Sequence, residues 1–370
     1  MLGLKQLRRL DQCEIEHDNV RAALRWGLER DVDAALRLAG SLAEFWVRRG
    51  HATEGRSWLQ ELLDRVAALP ELHGEAARRR QAARAKALIG LSNMALQHGD
   101  SVAGLAACEE SVRLYRQLGD RRGLGFALAW LGSAANTGGD MAVAERAQAE
   151  AIALARESGD TLMLAFALGV RSEILLVTRG DVAAARAACE ESARLSRAAG
   201  AHWGAAQSLR GLARIAAYMG HWDEARARCR EAAGLFREMG DRYLVNLVQS
   251  ELAHIERRAG NLDAARRLYQ QSIVVWQNLG QRAAIAHQLE CYAFIAGAQH
   301  QLIRAARLFG AAEALREALG TPMTALERTE YDREVAELRG QMDAKAYAAN
   351  WAAGRAMTME QAIAEALSRK

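Results

Sequence analysis

The chain reads as an all-α protein: an α-solenoid of long helix pairs wound into a right-handed superhelix, with a helical cap at the C-terminal end. Three observations predict this. Gly-Asp or a close variant recurs near positions 99, 119, 139, 159, 180, 200, 220, 240, 260 and 280. The stretches between these marks, such as "VAAARAACEESARLSRAA" (182–199), are rich in strong helix formers, with apolar residues at steps of three and four. Small residues stand at fixed offsets from the glycines at 99, 139, 180, 220 and 260. Five residues on are Gly104, Ala144, Ala185, Ala225 and Ala265; twelve residues on are Ser111, Ala151, Ser192, Ala232 and Ser272.

Each glycine supplies the left-handed residue that ends one helix, and the Asp or Asn after it caps the next. Small residues at fixed places belong where two antiparallel helices cross closely. The structural period is therefore forty residues, two helices, and seven such units fit into residues 32–320. Residues 1–31 read as an N-terminal capping helix. The first unit carries Leu42, Gly50 and Gly55 and departs from the pattern at Leu62. Pro70, in "LPELHGE", marks a joint over 70–76, because proline is tolerated between helices and not inside them. In the next five units Leu91, Leu131, Ser172, Leu212 and Leu252 stand eight residues before the turn glycine. The last unit has His300 in the glycine's place, with Ala305 and Ala312 behind it. Pro322 closes the array. Thr324–Glu327 and Thr358–Gln361 both read as capping boxes, starting helices over 321–370 that cover the end of the stack.

Composition excludes several functions. The net charge is +4 over 370 residues, and positive charge is spread among as many acids rather than clustered, so direct nucleic-acid binding is not expected. The basic residues are nearly all arginine, the lysines being Lys5, Lys86, Lys345 and Lys370. No apolar run reaches the ~18 residues that span a membrane, and a cytoplasmic location is expected. The five cysteines form no CxxC pair; Cys108, Cys189 and Cys229 occupy one repeat position, where Tyr269 stands in another unit, and read as buried packing residues. The nine histidines show no metal-ligand spacing, and phosphate loops and nucleophile elbows are missing. No catalytic residue, metal or cofactor is expected, and the chain reads as a non-enzyme.

The forty-residue register resembles the tetratricopeptide repeat, whose Leu-Gly pair is matched by Leu131-Gly132, Leu212-Ala213 and Leu252-Ala253. The opening "EIEHDNVRAALRWGLERDVDAALRLAG" and the closing "RAARLFGAAEALREALGTP" with "YAANWAAGRAMTMEQAIAEAL" look like the C-terminal helical arm of bacterial STAND-class signal-transduction ATPases, many of which are LuxR-type transcriptional regulators. The resemblance implies a sensor arm, either expressed alone or as a truncated relative, that answers to an ATPase or DNA-binding region. It carries neither ATP hydrolysis nor DNA binding onto these residues.

In that fold the first helix of each unit lines the concave face. Carrying the groove positions across gives Lys86, Asn93 and Gln97, then Phe126, Ser133 and Asn136, then Ala167, Val170, Ile174 and Val177. Gln207, Arg210, Arg214 and Tyr218 follow, then His254, Arg257 and Arg258, then His287 and Glu290. The middle of this groove would be apolar and its later half basic, with no aromatic ladder beside the arginines. The expected ligand is a protein or peptide, with Arg210, Arg214 and Arg257 suited to an acidic segment. The alternative is a small-molecule inducer held inside the superhelix. Homo-oligomerisation stays open.

Overall fold

The computed structural model describes residues 4–321, 323 and 325–368, and the side chains of all of these except 4–8, 177–179 and 325–326. Among the described residues there are nineteen helices and no strand. Two helices, α1 (Leu4–Ile15) and α2 (His17–Arg30), precede seven helix hairpins. The hairpins are α3 (Val32–Arg49) with α4 (Ala52–Ala67), α5 (Gly74–Gln97) with α6 (Ser101–Leu118), α7 (Arg121–Gly138) with α8 (Met141–Ser158), and α9 (Thr161–Arg179) with α10 (Val182–Ala198). Then come α11 (His202–Tyr218) with α12 (Trp222–Glu238), α13 (Arg242–Arg258) with α14 (Leu262–Asn278), and α15 (Arg282–Ala298) with α16 (Leu302–Leu319). The chain ends in α17 (Ala325–Gln341), α18 (Ala344–Arg355) and α19 (Met359–Leu367). It divides into two compact units, residues 1–245 and 246–370.

The corners are set by the backbone. After Gly139, at φ 86°, the Asp140 amide donates back to the Ala135 carbonyl at 2.9 Å, and His221 and Gln281 make the equivalent bond to Ala216 and Trp276. This is the Schellman closure that a left-handed glycine permits. Side-chain capping is less general than the Gly-Asp marks suggest. Asp100, Asp120, Asp140, Asp160 and Asp181 each accept from an amide of the first turn, whereas Ala201, His221, Asn261, Gln281 and Gln301 do not. Asn261 turns instead to Glu256.

The crossings are where the sequence places them. Ala144, Ala185, Ala225 and Ala265 are all fully buried, as are Ala151 and Ala232. Two serines at the second position serve the neighbouring backbone: Ser111 donates to the Ala85 carbonyl at 2.8 Å and Ser192 to the Ala165 carbonyl at 2.6 Å, whereas the Ser272 hydroxyl pairs with the Ser250 and Gln288 side chains. Cys108, Cys189, Cys229 and Tyr269 are buried at their shared position, and the cysteines are free thiols. No described helix is long and apolar enough to cross a membrane.

At the C-terminal end, α18 lies against α16 through two glycines. A Cβ on Gly354 would stand 1.9 Å from the Arg307 carbonyl oxygen, and one on Gly310 would stand 2.2 Å from that of Trp351. Thr358 and Gln361 form the expected capping box at the start of α19. Pro322 and Thr324 lie outside the described residues.

Two outcomes are expected. Ala225→Leu should overpack the α11–α12 crossing and lower stability by about 1–3 kcal/mol, with faster amide exchange confined to α11, α12 and their neighbours. Unchanged melting would show that the crossing lies elsewhere. His300 is the one described non-glycine residue at positive φ, 56°. His300→Gly should therefore raise stability by about 1 kcal/mol in a denaturant titration; a loss would mean that its side chain outweighs the strain.

Candidate functional site

In the middle of α7 almost every side chain is buried except Phe126, Trp130 and Ser133, spaced four and three residues apart. The same open stripe runs down α9 as Leu162, Phe166 and Glu173, and down α11 as Trp203, Gln207, Arg210 and Arg214, ending at exposed Tyr218. Measured from their capping residues 120, 160 and 201, Phe126, Phe166 and Gln207 are equivalent, and so are Ser133, Glu173 and Arg214.

This corrects the reading of α9. Counting back from Gly180 puts Ala167 and Ile174 in the groove, but both are buried. The spacing from Gly139 to Gly180 is forty-one residues, and the extra one lengthens the C-terminal end of α9, a helix of 19 residues. Phe166 and Glu173 therefore take the open places. Val170 lies half-buried beside them, and the Val177 side chain is outside the described set.

The second correction is an aromatic row where none was expected. Phe126 and Trp130 lie 6.5 and 5.1 Å from Phe166, centroid to centroid, and Phe166 lies 6.2 Å from Trp203. Arg122 stands over Phe126 at 5.9 Å and Arg48 over Trp203 at 5.3 Å. All four rings are half-buried. Trp203 sits one turn earlier in its helix than Phe166 does, so position-by-position alignment cannot line the rings up. They form a diagonal across three units.

Beyond Trp203 the stripe of the N-terminal unit is closed by a clasp. Arg48, at the end of α3, reaches Asp241 at 3.5 Å, 193 residues later, while Glu44 holds the same guanidinium at 2.6 Å. Arg48 and Asp241 are both buried.

The basic half of the groove is not free. Glu173 takes Arg214 at 2.9 Å and Arg210 at 3.9 Å, and Arg210 also bonds Gln207. Burial pushes the Glu173 carboxyl up, but the two arginines outweigh it and hold it below the usual carboxylate range. Arg257 is tied to Glu330 at 2.8 Å and lies over Phe294, so three open guanidiniums do not converge; Arg258 alone of that group is exposed. Glu290 is buried in a two-oxygen pair with Arg316 at 2.5 and 3.0 Å, a structural role rather than a groove-facing one. His254 and His287 turn to Tyr269 and Cys291. Asn93 and Asn136 are half-buried on α5 and α7.

Comparison with known proteins fits this architecture. A family model described as anaphase-promoting complex subunit 5 matches residues 75–137, 134–175 and 204–259, less than half of the chain. Proteins of Mycobacterium tuberculosis and Mycobacterium bovis described as HTH-type transcriptional regulators are 31% identical over 133 residues, 35% of this chain. The chain thus spans only 14% of the length of those curated relatives. Among solved structures, a Rap protein complexed with competence and sporulation factor aligns at TM-score 0.60 and 11% identity, covering 90% of this chain and 99% of that one. The Rap conjugation gene regulator of plasmid pLS20, in complex with the Phr* peptide, aligns at TM-score 0.60 and 11% identity over 78% and 74%. A STAND protein with a tetratricopeptide-repeat sensor from Pyrococcus horikoshii aligns at TM-score 0.51 and 14% identity over 95% and 54%. At these identities the likeness establishes the fold, and that fold is a tetratricopeptide-type array of helix hairpins.

The clasp yields a pH prediction. Burial pushes the Asp241 carboxyl up to about 6, against the pull of Arg48 and of the Leu244 amide. A carboxyl raised above its unfolded value of about 3.9 favours the fold at low pH, and that contribution is lost as pH climbs through 6. Asp241→Asn keeps an acceptor for Leu244 and leaves Arg48 with Glu44. It should melt higher than wild type at pH 7, by on the order of 1–2 kcal/mol, and the difference should vanish towards pH 4. A difference independent of pH would refute the assignment.

Proposed function

We propose that the chain is a non-enzymatic sensing arm that binds an extended peptide, or an extended segment of a partner protein, along the open stripe of α7, α9 and α11. The aromatic row carries this reading. An extended strand places alternate side chains on one face about 6.6–6.8 Å apart. The steps from Phe126 to Phe166 and from Phe166 to Trp203, 6.5 and 6.2 Å, nearly match that repeat. A strand laid across the three helices would set alternate side chains against successive rings. Glu173, Arg210, Arg214 and Tyr218 would then stand on one side of it, as polar partners for its backbone.

An acidic side chain in the ligand would compete with Glu173 for Arg210 and Arg214. The pair therefore supports acidity at a single ligand position rather than a generally acidic ligand. The alternative of a small inducer draws on the clasp, which closes the α11 end of the stripe around Trp203. The peptide reading is the better supported, because the rings form a line rather than converging on a point. The Rap conjugation gene regulator, which shares this fold and is in complex with the Phr* peptide, also supports it. Likeness to the STAND sensor and to the mycobacterial regulators supports a regulatory role, with the arm reporting occupancy to an ATPase or DNA-binding region.

The test is selection from a displayed random-peptide library on wild type and on Phe166→Ala. Wild type should enrich peptides with aromatic or branched apolar residues two apart. Phe166→Ala should bind them at least ten-fold more weakly with an unchanged circular dichroism spectrum, consistent with loss of a well-packed aromatic contact. Equal affinity for both proteins would remove the stripe from the functional account.

A further inference from the structure

The residues carried over as a later groove wall form a different kind of site. His254 on α13 and His287 and Cys291 on α15 bring three donor atoms within 4.8 Å of one another. Cys291 Sγ lies 3.5 Å from His254 Nδ1 and 3.9 Å from His287 Nε2. Around a tetrahedral zinc ion, with Zn–N near 2.0–2.1 Å and Zn–S near 2.3 Å, neighbouring donors stand about 3.3–3.6 Å apart. The two separations from the thiol, 3.5 and 3.9 Å, are within a few tenths of an ångström of that spacing.

The groups behind the donors point the same way. His287 Nδ1 donates to Glu290 at 3.2 Å and lies 3.6 Å from Glu327. That bond leaves Nε2 turned towards the thiol. Arg316 clamps Glu290 through both oxygens, so the imidazole is oriented by a fixed carboxylate. A carboxylate behind a ligating histidine is the usual outer support of a zinc site. On the third side the fully buried Tyr269 hydroxyl, from α14, donates to His254 Nδ1 at 2.6 Å, which places a further oxygen beside the three donors. Around the cluster, Glu290, Glu327 and Glu330 offset Arg257 and Arg316, so a divalent ion would not meet a net basic environment.

We propose that His254 Nδ1, His287 Nε2 and the Cys291 thiolate bind one zinc ion, with the Tyr269 oxygen or a water in the fourth position. Binding displaces the thiol proton and any proton on His287 Nε2, and frees His254 Nδ1 from the tyrosine hydroxyl. The ion would tie α13 to α15 across α14. A second group, His17, His51 and Glu54, is also compact, but both Glu54 oxygens already accept from Arg21 at 2.7 Å and it offers no thiolate.

The test uses the full chain, stripped with a chelator and titrated with Co²⁺ and then Zn²⁺. One Co²⁺ per chain should bind, giving a thiolate-to-cobalt charge-transfer band and tetrahedral ligand-field absorption that Zn²⁺ abolishes. Cys291→Ser should lose the charge-transfer band and His254→Ala should weaken binding at least ten-fold, while Cys108→Ser changes neither. In wild type, Zn²⁺ should slow alkylation of Cys291, mapped by mass spectrometry, which needs no variant to fold. Absence of the band in wild type, its survival in Cys291→Ser, or unslowed alkylation of Cys291 would overturn the proposal. Binding lost in His51→Ala but not in His254→Ala would also overturn it.

Discussion

Everything in this fold depends on how closely paired helices approach, and one small residue per second helix sets that distance. Ala144, Ala185, Ala225 and Ala265 are fully buried, one on each second helix at the same place in the repeat. Once the second helices sit that close, they cover most of each first helix and leave a single stripe of it open. The stripe does not pack the crossing, so its composition is free to serve another purpose. In α7, α9 and α11 it carries half-buried aromatic rings where solvated polar residues would cost less. Large apolar surface left partly open in a line is where an interaction is to be sought.

The abundance of arginine has a structural explanation. Arg116–Glu150, Arg186–Glu224 and Arg197–Glu231 join second helices one unit apart, and Arg113–Glu110 lies within a single helix. Such solvated pairs are worth about 0–1 kcal/mol each. They decorate the array rather than define a basic face. The buried pairs are of another kind. Arg48–Asp241 joins elements 193 residues apart, with Glu44 as a second partner for the guanidinium, whereas Arg316–Glu290 ties together the two helices of one hairpin, where removing either partner leaves a desolvated charge.

What could be read from the sequence was what every unit must repeat. The glycine corners, the crossing residues and the shared place of Cys108, Cys189, Cys229 and Tyr269 recur with the period, and so they stand out. The groove was legible only in part. Arg210, Arg214 and Tyr218 do lie on the open stripe of α11, but Glu173, which holds both arginines, was hidden by the one extra residue in α9. Trp130, Phe166 and Trp203 were hidden because the row crosses the repeats diagonally. The Arg48–Asp241 clasp and the Gly310–Gly354 approach left no signal, since each joins residues that no local pattern relates. The pairing of "LFGAAEAL" with "NWAAGRAM" was visible as two motifs and not as one contact.

His254, Arg257 and His287 occupy groove positions of their units, as Arg210 and Arg214 do of theirs, yet their surroundings differ. The difference lies in what covers them. In the C-terminal unit α17 packs on α15 and contributes Glu327 and Glu330, which engage His287 and Arg257. Burial disfavours the charged form of both histidines, and their neighbours then set them apart. Burial, with His287 and two arginines nearby, drives His254 well below the ordinary imidazole value. His287 is raised well above it, because Cys291, Glu327 and Glu290 outweigh burial. A repeat position that forms an open wall under solvent thus becomes a closed cluster of donors under a helix. The same register accommodates a half-buried aromatic stripe in one unit and a closed cluster of two histidines and a cysteine in the other, without any change in the hairpins that carry them.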